Sequence, residues 1–248
     1  MPERRNIAII AALERELRPL IKTWSKSNFT HQGREFTAYE SNYAVAICGG
    51  IGAEHARRAA EAAVAQYSPE ILVSAGVAGA TVPELHVGET VFPSLVVDTL
   101  DGSRHKTDIN SAVLAGTPLA RAVLASSESI ASPTLKRQLA KSYGAHAVDM
   151  EAAAVTRAAQ KHNLRFVAIK TISDDVDFNI PELSRFVRRG EFATGAFVLY
   201  VIPRPWLWLK VIELGRDTKA ASRNLCAWLR ESALTNTIVP GARSPSKS

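Results

Sequence analysis

Tyr43–Gly52 reads YAVAICGGIG and runs into Ala53–Gln66, a stretch rich in Ala and Arg. A continuous apolar run, a glycine turn and a helix-forming segment predict a strand buried on both faces that feeds a helix across a tight turn. The same succession recurs on either side. Asn6–Ala12 (NIAIIAA) precedes the charged, helix-patterned Glu14–Trp24, and Ile71–Ala75 precedes the small-residue segment Gly76-Val77-Ala78-Gly79-Ala80, which reads as a second turn. Further on, Gly88–Val97 is strand-like, Lys136–Ser142 helical, Ala145–Val148 a short strand, Met150–His162 an Ala-rich helix and Phe166–Ile172 (FVAIKTI) another buried strand. Strands that alternate with helices and carry unbroken apolar runs require a mostly parallel sheet covered on both faces. The stretch from Asn110 to Ser132 has no legible pattern.

The 248 residues fit one large α/β domain with an appendage, and 46% hydrophobic against 22% charged residues provides for a full core. The expected division is a main domain over 1–202, a Trp-containing helical extension over 203–232 and a disordered tail over 233–248, where Ser, Thr, Pro and Gly take over. Cys48 and Cys226 are too far apart for a CxxC pair and read as packed thiols. The six histidines have no HxxxH or HExxH spacing, so no metal and no cofactor is expected. No apolar leader follows Met1–Arg5, which points to a cytoplasmic protein. The net charge of +6 is local: residues 204–248 hold eight Lys or Arg against three acidic residues, which leaves the body near neutrality. A neutral body with no recognisable module argues against nucleic acid as a partner.

In a parallel sheet, ligands gather beyond the carboxyl ends of strands. Polar residues stand at that position four times: Glu14 and Glu16, Gly49–Gly52, Asp149-Met150-Glu151, and Ser173-Asp174-Asp175. Each has a structural alternative. Glu14 and Glu16 suit the first turn of a helix, GGIG falls short of a nucleotide fingerprint, and Asp149, Ser173 and Asp174 are all good N-caps.

Taken together, the order and spacing of the four resemble the nucleoside phosphorylase and nucleosidase superfamily, in particular the methylthioadenosine/S-adenosylhomocysteine nucleosidases. The resemblance runs from about Ile7 to Asp177. Its most specific part is Ala147–Ala154 (AVDMEAAA), similar to the family's V-E-M-E-A, followed by Ile172-Ser173-Asp174, similar to I-S-D, and Ile7–Leu17, similar to I-I-G-A-M-E-E-E. The resemblance implies a three-layer αβα phosphorylase/hydrolase-like fold with a mixed, mostly parallel sheet, and a homodimer. It implies that Met150 packs on the sugar, Glu151 binds the ribose hydroxyls, Asp174 hydrogen-bonds or protonates N7 of the departing purine, and Glu16 activates water. Gly76, Val77, Ala78 and Ser173 then join the substrate-binding residues, while Gly50 and Gly52 line the nucleophile or phosphate side.

The chain departs from that pattern at Val77, where the nucleosidases carry Ser, at Lys170, where an Arg commonly precedes I-S-D, and at Asp149, where they carry Glu. Phosphorolytic relatives tend to place a phosphate-binding Arg where Glu16 stands, so Glu16 implies water as the nucleophile. Gly76–Gly79, Asp101-Gly102, Lys136–Val148 and the Pro-Trp-containing C-terminus are also similar to hopanoid-associated phosphorylases, which implies phosphorolytic removal of adenine from an adenosyl-hopanoid lipid. Pro205-Trp206-Leu207-Trp208 beside basic residues fits either a helix that packs on the core or a peripheral contact with the inner face of a membrane. The expected partner is a purine nucleoside, free or lipid-linked. The alternative of another class is an inactive binding protein that retains the fold.

Overall fold

The computed structural model describes residues 6–109, 122–180 and 182–235. The expected α/β architecture is present: a mixed, mostly parallel sheet lies between two helical layers, and a C-terminal helix completes one of them. The strands are β1 (Ile7–Ala11), β2 (Ser25–His31), β3 (Arg34–Glu40), β4 (Ala44–Cys48), β5 (Ile71–Ala80), β6 (Thr90–Val91), β7 (Leu95–Asp98), β8 (Arg104–Lys106), β9 (Val123–Ser126), β10 (Ala147–Asp149), β11 (Arg165–Asp174), β12 (Val187–Arg188) and β13 (Glu191–Phe192). The helices are α1 (Glu14–Ile21), α2 (Ala53–Tyr67), α3 (Pro133–Tyr143), α4 (Ala152–Lys161), α5 (Thr194–Val201) and α6 (Pro205–Thr235).

β1 shows why the apolar runs are continuous. Ala8 and Ile10 pack with Ile47, Leu72 and the alanines of α2 and α4 on one face. Ile9 and Ala11 alternate onto the other, where α1 and α6 supply Leu17, Leu20, Leu225, Cys226 and Leu229. A strand covered on both faces has no polar side to show. Small side chains let α2 and α4 lie close to the sheet, with Ala56, Ala59, Ala60 and Ala63 fully buried against Ala152, Val155 and Ala159.

Gly76–Ala80 is not a turn. It is the second half of β5, whose ten residues pair in parallel with β1 over Ile71–Ser74 and with β11 over Ile71–Gly79. Its last two residues pair antiparallel with β10. The glycines answer a need for close approach: a Cβ on Gly79 would lie 2.8 Å from Asp174 Oδ2 and 2.9 Å from Lys136 Cε. β5 therefore marks the point where the sheet changes neighbours, and such switch points open a crevice beyond the strand ends.

The hairpin β2–β3 gave no sequence signal. β2 (SKSNFTH) is mostly polar and partly exposed, and it pairs with β3 in full register from Ser25–Glu40 to His31–Arg34. Gly88–Val97 divides into β6 and β7, with Pro93 between them. The C-terminal segments on either side of Gly215 form one helix, α6, which extends to Thr235; residues 236–248 of the expected tail lie outside the described residues. Leu225 and Leu229 bury their side chains in the core, each contributing about 1.5–3 kcal/mol. Trp206 and Trp208, nearer the start of α6, remain 70% and 50% exposed.

Candidate active site

A cavity of about 1090 Å³ opens at the carboxyl ends of β1, β5, β10 and β11. It is lined by Glu16, Val77, Ala78, Gly79, Asp149, Met150, Glu151, Ser173 and Asp174, together with Ile51, Lys136 and side chains of α5 and α6. Four separate sequence segments thus deliver their polar residues to one place. Gly76 lies behind this wall, with its Cβ position 3.4 Å from Glu16 Oε2 and 3.5 Å from Lys170 Nζ. Neither Gly50 nor Gly52 lines the cavity; Ile51 between them does.

Glu16 is buried in the first turn of α1. The Leu13 N–H donates to its Oε2 at 3.3 Å. Burial raises its pKa above the ordinary glutamate value, and the opposing charge of Lys170 and the backbone N–H groups do not cancel the effect. α6 fixes the backbone here. Pro19 has no N–H to offer the carbonyl of Arg15 one turn earlier, and Ser222 Oγ stands 3.1 Å from that oxygen and 2.8 Å from the carbonyl of Glu16. Glu14, by contrast, is exposed and faces Tyr39.

Glu151 precedes α4 and is held from both sides. The Gly52 N–H donates to its Oε1 at 2.8 Å and the Met150 N–H to its Oε2 at 3.3 Å. Gly52 has φ +98°, a conformation that side chains resist, and it aims its N–H across 99 residues of chain. The Gly50 and Ile51 N–H groups are engaged elsewhere, by Ala12 O and Gly190 O. Burial pushes Glu151 up to about 7, Asp149 adds to the rise, and Lys170 opposes it.

Asp149 does more than cap. Its Oδ2 accepts the Ala152 N–H at 2.9 Å, its Oδ1 accepts the Ser126 hydroxyl at 2.7 Å, and Lys170 Nζ lies 2.8 Å from Oδ2. Burial works against the Lys170 ammonium, yet Asp149, Glu151 and Glu16 together raise its pKa. Lys170 is therefore the counter-charge shared by three carboxylates, the place for which the family pattern carries Arg.

At the other end of the cavity, the Ser173 hydroxyl donates to Asp174 Oδ1 at 2.7 Å, and Lys136 Nζ donates to Asp174 Oδ2 at 2.5 Å. Lys136 also donates to the carbonyl of Asp175. Sequence reading missed Lys136. The signal was there: Lys136, Leu139, Ala140 and Tyr143 form one helical stripe, and a lysine in an apolar stripe is unusual.

The sheet changes neighbours at β5, three acids gather at the cavity beside it, and residues 6–202 match the phosphorylase superfamily. The chain belongs to that superfamily. It is 24% identical over 197 residues to the 5′-methylthioadenosine/S-adenosylhomocysteine nucleosidase of Anoxybacillus flavithermus, covering 68% of this chain and 85% of that one. With the enzyme of the same name from Shewanella pealeana it shares 25% identity over 71% of this chain and 89% of the relative. Among solved structures, the Neisseria meningitidis nucleosidase in complex with methylthio-immucillin-A superposes with a TM-score of 0.69 at 18% identity, over 94% of this chain and 99% of that one. Futalosine hydrolase of Helicobacter pylori superposes with a TM-score of 0.68 at 18% identity, over 93% and 97%.

Proposed function

We propose that this enzyme cleaves the N-glycosidic bond of an adenine nucleoside by hydrolysis, as the curated relatives' names describe for methylthioadenosine and S-adenosylhomocysteine. The observation that carries the reading is the convergence of Glu16, Glu151 and Asp174 on one cavity. Departure of a purine leaves a cationic, oxocarbenium-like sugar, so negative charge must stand beside the ribose and a proton must reach the base. Glu151, anchored by Gly52, accepts the ribose hydroxyls with Met150 against the sugar. Asp174 meets N7 at the base end. Glu16 takes a proton from the attacking water, a role suited to a carboxylate whose pKa burial has raised. Asp174→Asn and Glu151→Gln should each lower adenine release by about 10²-fold or more. Unchanged release in both variants, or no release from any adenosyl compound, would overturn the reading.

A second reading, phosphorolytic removal of adenine from an adenosyl-hopanoid lipid, draws on the cavity's far wall. Phe192, Phe197, Val198, Val211 and Leu214 extend it as an apolar channel, and Arg15, Arg18, Lys219 and Arg223 bring cations to its lining. Helices α5 and α6 and the turn between them carry exposed Leu199, Ile202, Trp206, Leu209 and Ile212, with Arg204 and Lys210 among them in sequence, which suits contact with a lipid surface. No described helix is long and apolar enough to cross a membrane. Adenine release measured with and without phosphate, with the sugar product identified, separates the two. Strict phosphate dependence with a sugar 1-phosphate product favours the second.

A further inference from the structure

Cations of α1 and α6 meet at the mouth of the cavity. On α6, Val211, Leu214, Gly215, Thr218, Lys219 and Arg223 line it, a three- and four-residue spacing that puts them on one stripe of the helix. The stripe runs about 18 Å, at the helical rise of about 1.5 Å per residue, and changes from apolar to basic along its length. On α1, Arg18 lines the same cavity, and Lys22 does so one turn further on, where the helix ends. Ser222 holds the two helices together through its hydroxyl, 2.8 Å from the carbonyl of Glu16.

Among the described residues, the side chains of Arg18, Lys22, Lys219 and Arg223 have neither an ion pair nor a hydrogen bond. Cations on neighbouring helices are answered: Arg57 and Arg58 share Glu54 on α2, and Arg157 of α4 binds Asp98 and Asp101. The dipole of α1 favours positive charge at its C-terminal end, which accounts for Arg18 and Lys22. It does not account for Lys219 and Arg223, which stand one turn apart within α6, where like charges repel.

We infer that these four cations form a subsite for a negatively charged group at the far end of the substrate's 5′ arm. The inference rests on the nucleosidase reading above. With the base at Asp174 and the ribose hydroxyls on Glu151, the substituent at C5′ is the part left to run to the mouth. Phe192, Val211 and Leu214 give its chain an apolar path to the cations. Charge sets the direction of entry: the carboxylates of Glu16, Glu151 and Asp174 repel an anion from the inner end, and the cations hold it at the outer one. A cleft mouth lined by one sign of charge also concentrates ligands of the other sign. All four cations are exposed, so salt weakens the attraction. The substrate class is adenine nucleosides whose 5′ substituent is an apolar chain ending in a carboxylate or phosphate.

The test is a matched pair of substrates, a 5′-(carboxyalkylthio)adenosine and its carboxamide, which differ in charge and hardly in shape. At low salt the parent should favour the acid in kcat/KM by about tenfold, and raised salt should shrink that ratio. Lys219→Gln with Arg223→Gln should bring the ratio near one, and Lys219→Glu with Arg223→Glu should invert it. Both substrates are read on the same preparation, so a loss of folded enzyme cancels. A ratio of one in the parent overturns the proposal. So does a ratio that survives both double variants, and if binding to anionic vesicles falls in them instead, the cations serve a membrane surface. Inorganic phosphate tells an arm from a free anion: it should slow cleavage of the acid and leave the amide alone, whereas a requirement for phosphate with both compounds assigns the cations to a nucleophile and overturns the proposal. A parent that releases adenine from neither compound counts against the proposed function, and calorimetry then reads the subsite. Binding of the acid about tenfold tighter than the amide, lost in the Gln variant, supports the subsite, and equal binding overturns it.

Discussion

Lys170 Nζ lies 2.8 Å from Asp149 Oδ2, with 1% and 0% of the two side chains exposed. Burying two charges is costly, and the pair is tolerable because the Ser126 hydroxyl and the Ala152 N–H satisfy the rest of the carboxylate. Glu16 and Glu151 draw on the same ammonium, so the active-site acids and the core share one counter-charge.

Lys170→Met should therefore destabilise the protein by about 3–5 kcal/mol, the cost of stranding a buried carboxylate. Lys170→Arg keeps the charge and should cost about 1–3 kcal/mol through overpacking. Urea unfolding followed by circular dichroism reads both. If Lys170→Met costs less than Lys170→Arg, the ammonium is not the shared counter-charge.

Catalysis and stability should depend on pH in opposite directions. Glu151, pushed up to about 7 by burial, must be ionised to face the sugar cation, so kcat/KM should rise with pH and level off above about 7. For stability, the folded protein holds this proton more tightly than the unfolded chain. The stabilisation is fully present below the ordinary glutamate value and is lost as pH rises through about 7. Glu151→Gln removes that dependence, so its melting temperature relative to the parent should be more favourable at pH 8 than at pH 5. A constant difference between the two pH values would contradict the assignment.

Gly79→Ala should push Lys136 and Asp174 apart with neither of them replaced, because the new methyl group would stand under 3 Å from both side chains. Overpacking of this kind costs about 1–3 kcal/mol, and nucleoside cleavage should fall at least about tenfold. Gly195→Ala, with open space around the added carbon, is the control and should match the parent in both measurements. Equal behaviour of the two variants would show that the close approach at Gly79 does not matter.

The parallel core was legible because burial on both faces removes polar residues from a strand, as in β1 and β4. The three acids were legible because they fall directly after such runs. β2 and β3 were not, since a half-exposed hairpin at the sheet's edge carries little hydrophobic pattern. Gly76–Gly79 read as a turn because its small residues are the usual mark of one; what they accommodate, the side chains of Glu16, Asp174 and Lys136, comes from elements distant in sequence. Lys136 stands out in its apolar helical stripe, but the stripe does not reveal its partner, which is 38 residues away across the fold.

The N-terminal half of α6 offers a test of the lipid reading that leaves catalysis aside. Trp206, Leu209 and Ile212 are 70%, 79% and 67% exposed, whereas Leu225 and Leu229 on the second half are buried and hold the helix to the core. Replacing Trp206, Leu209 and Ile212 together by Gln should then leave stability within about 0.5 kcal/mol per site, as for other exposed positions. If these residues meet a membrane, the same replacement should lower co-sedimentation with anionic vesicles several-fold, and raised salt should weaken binding of the parent, because Arg204 and Lys210 lie among them in sequence. Equal co-sedimentation of parent and variant would remove the membrane contact from the second reading and leave the hydrolysis of a small nucleoside untouched.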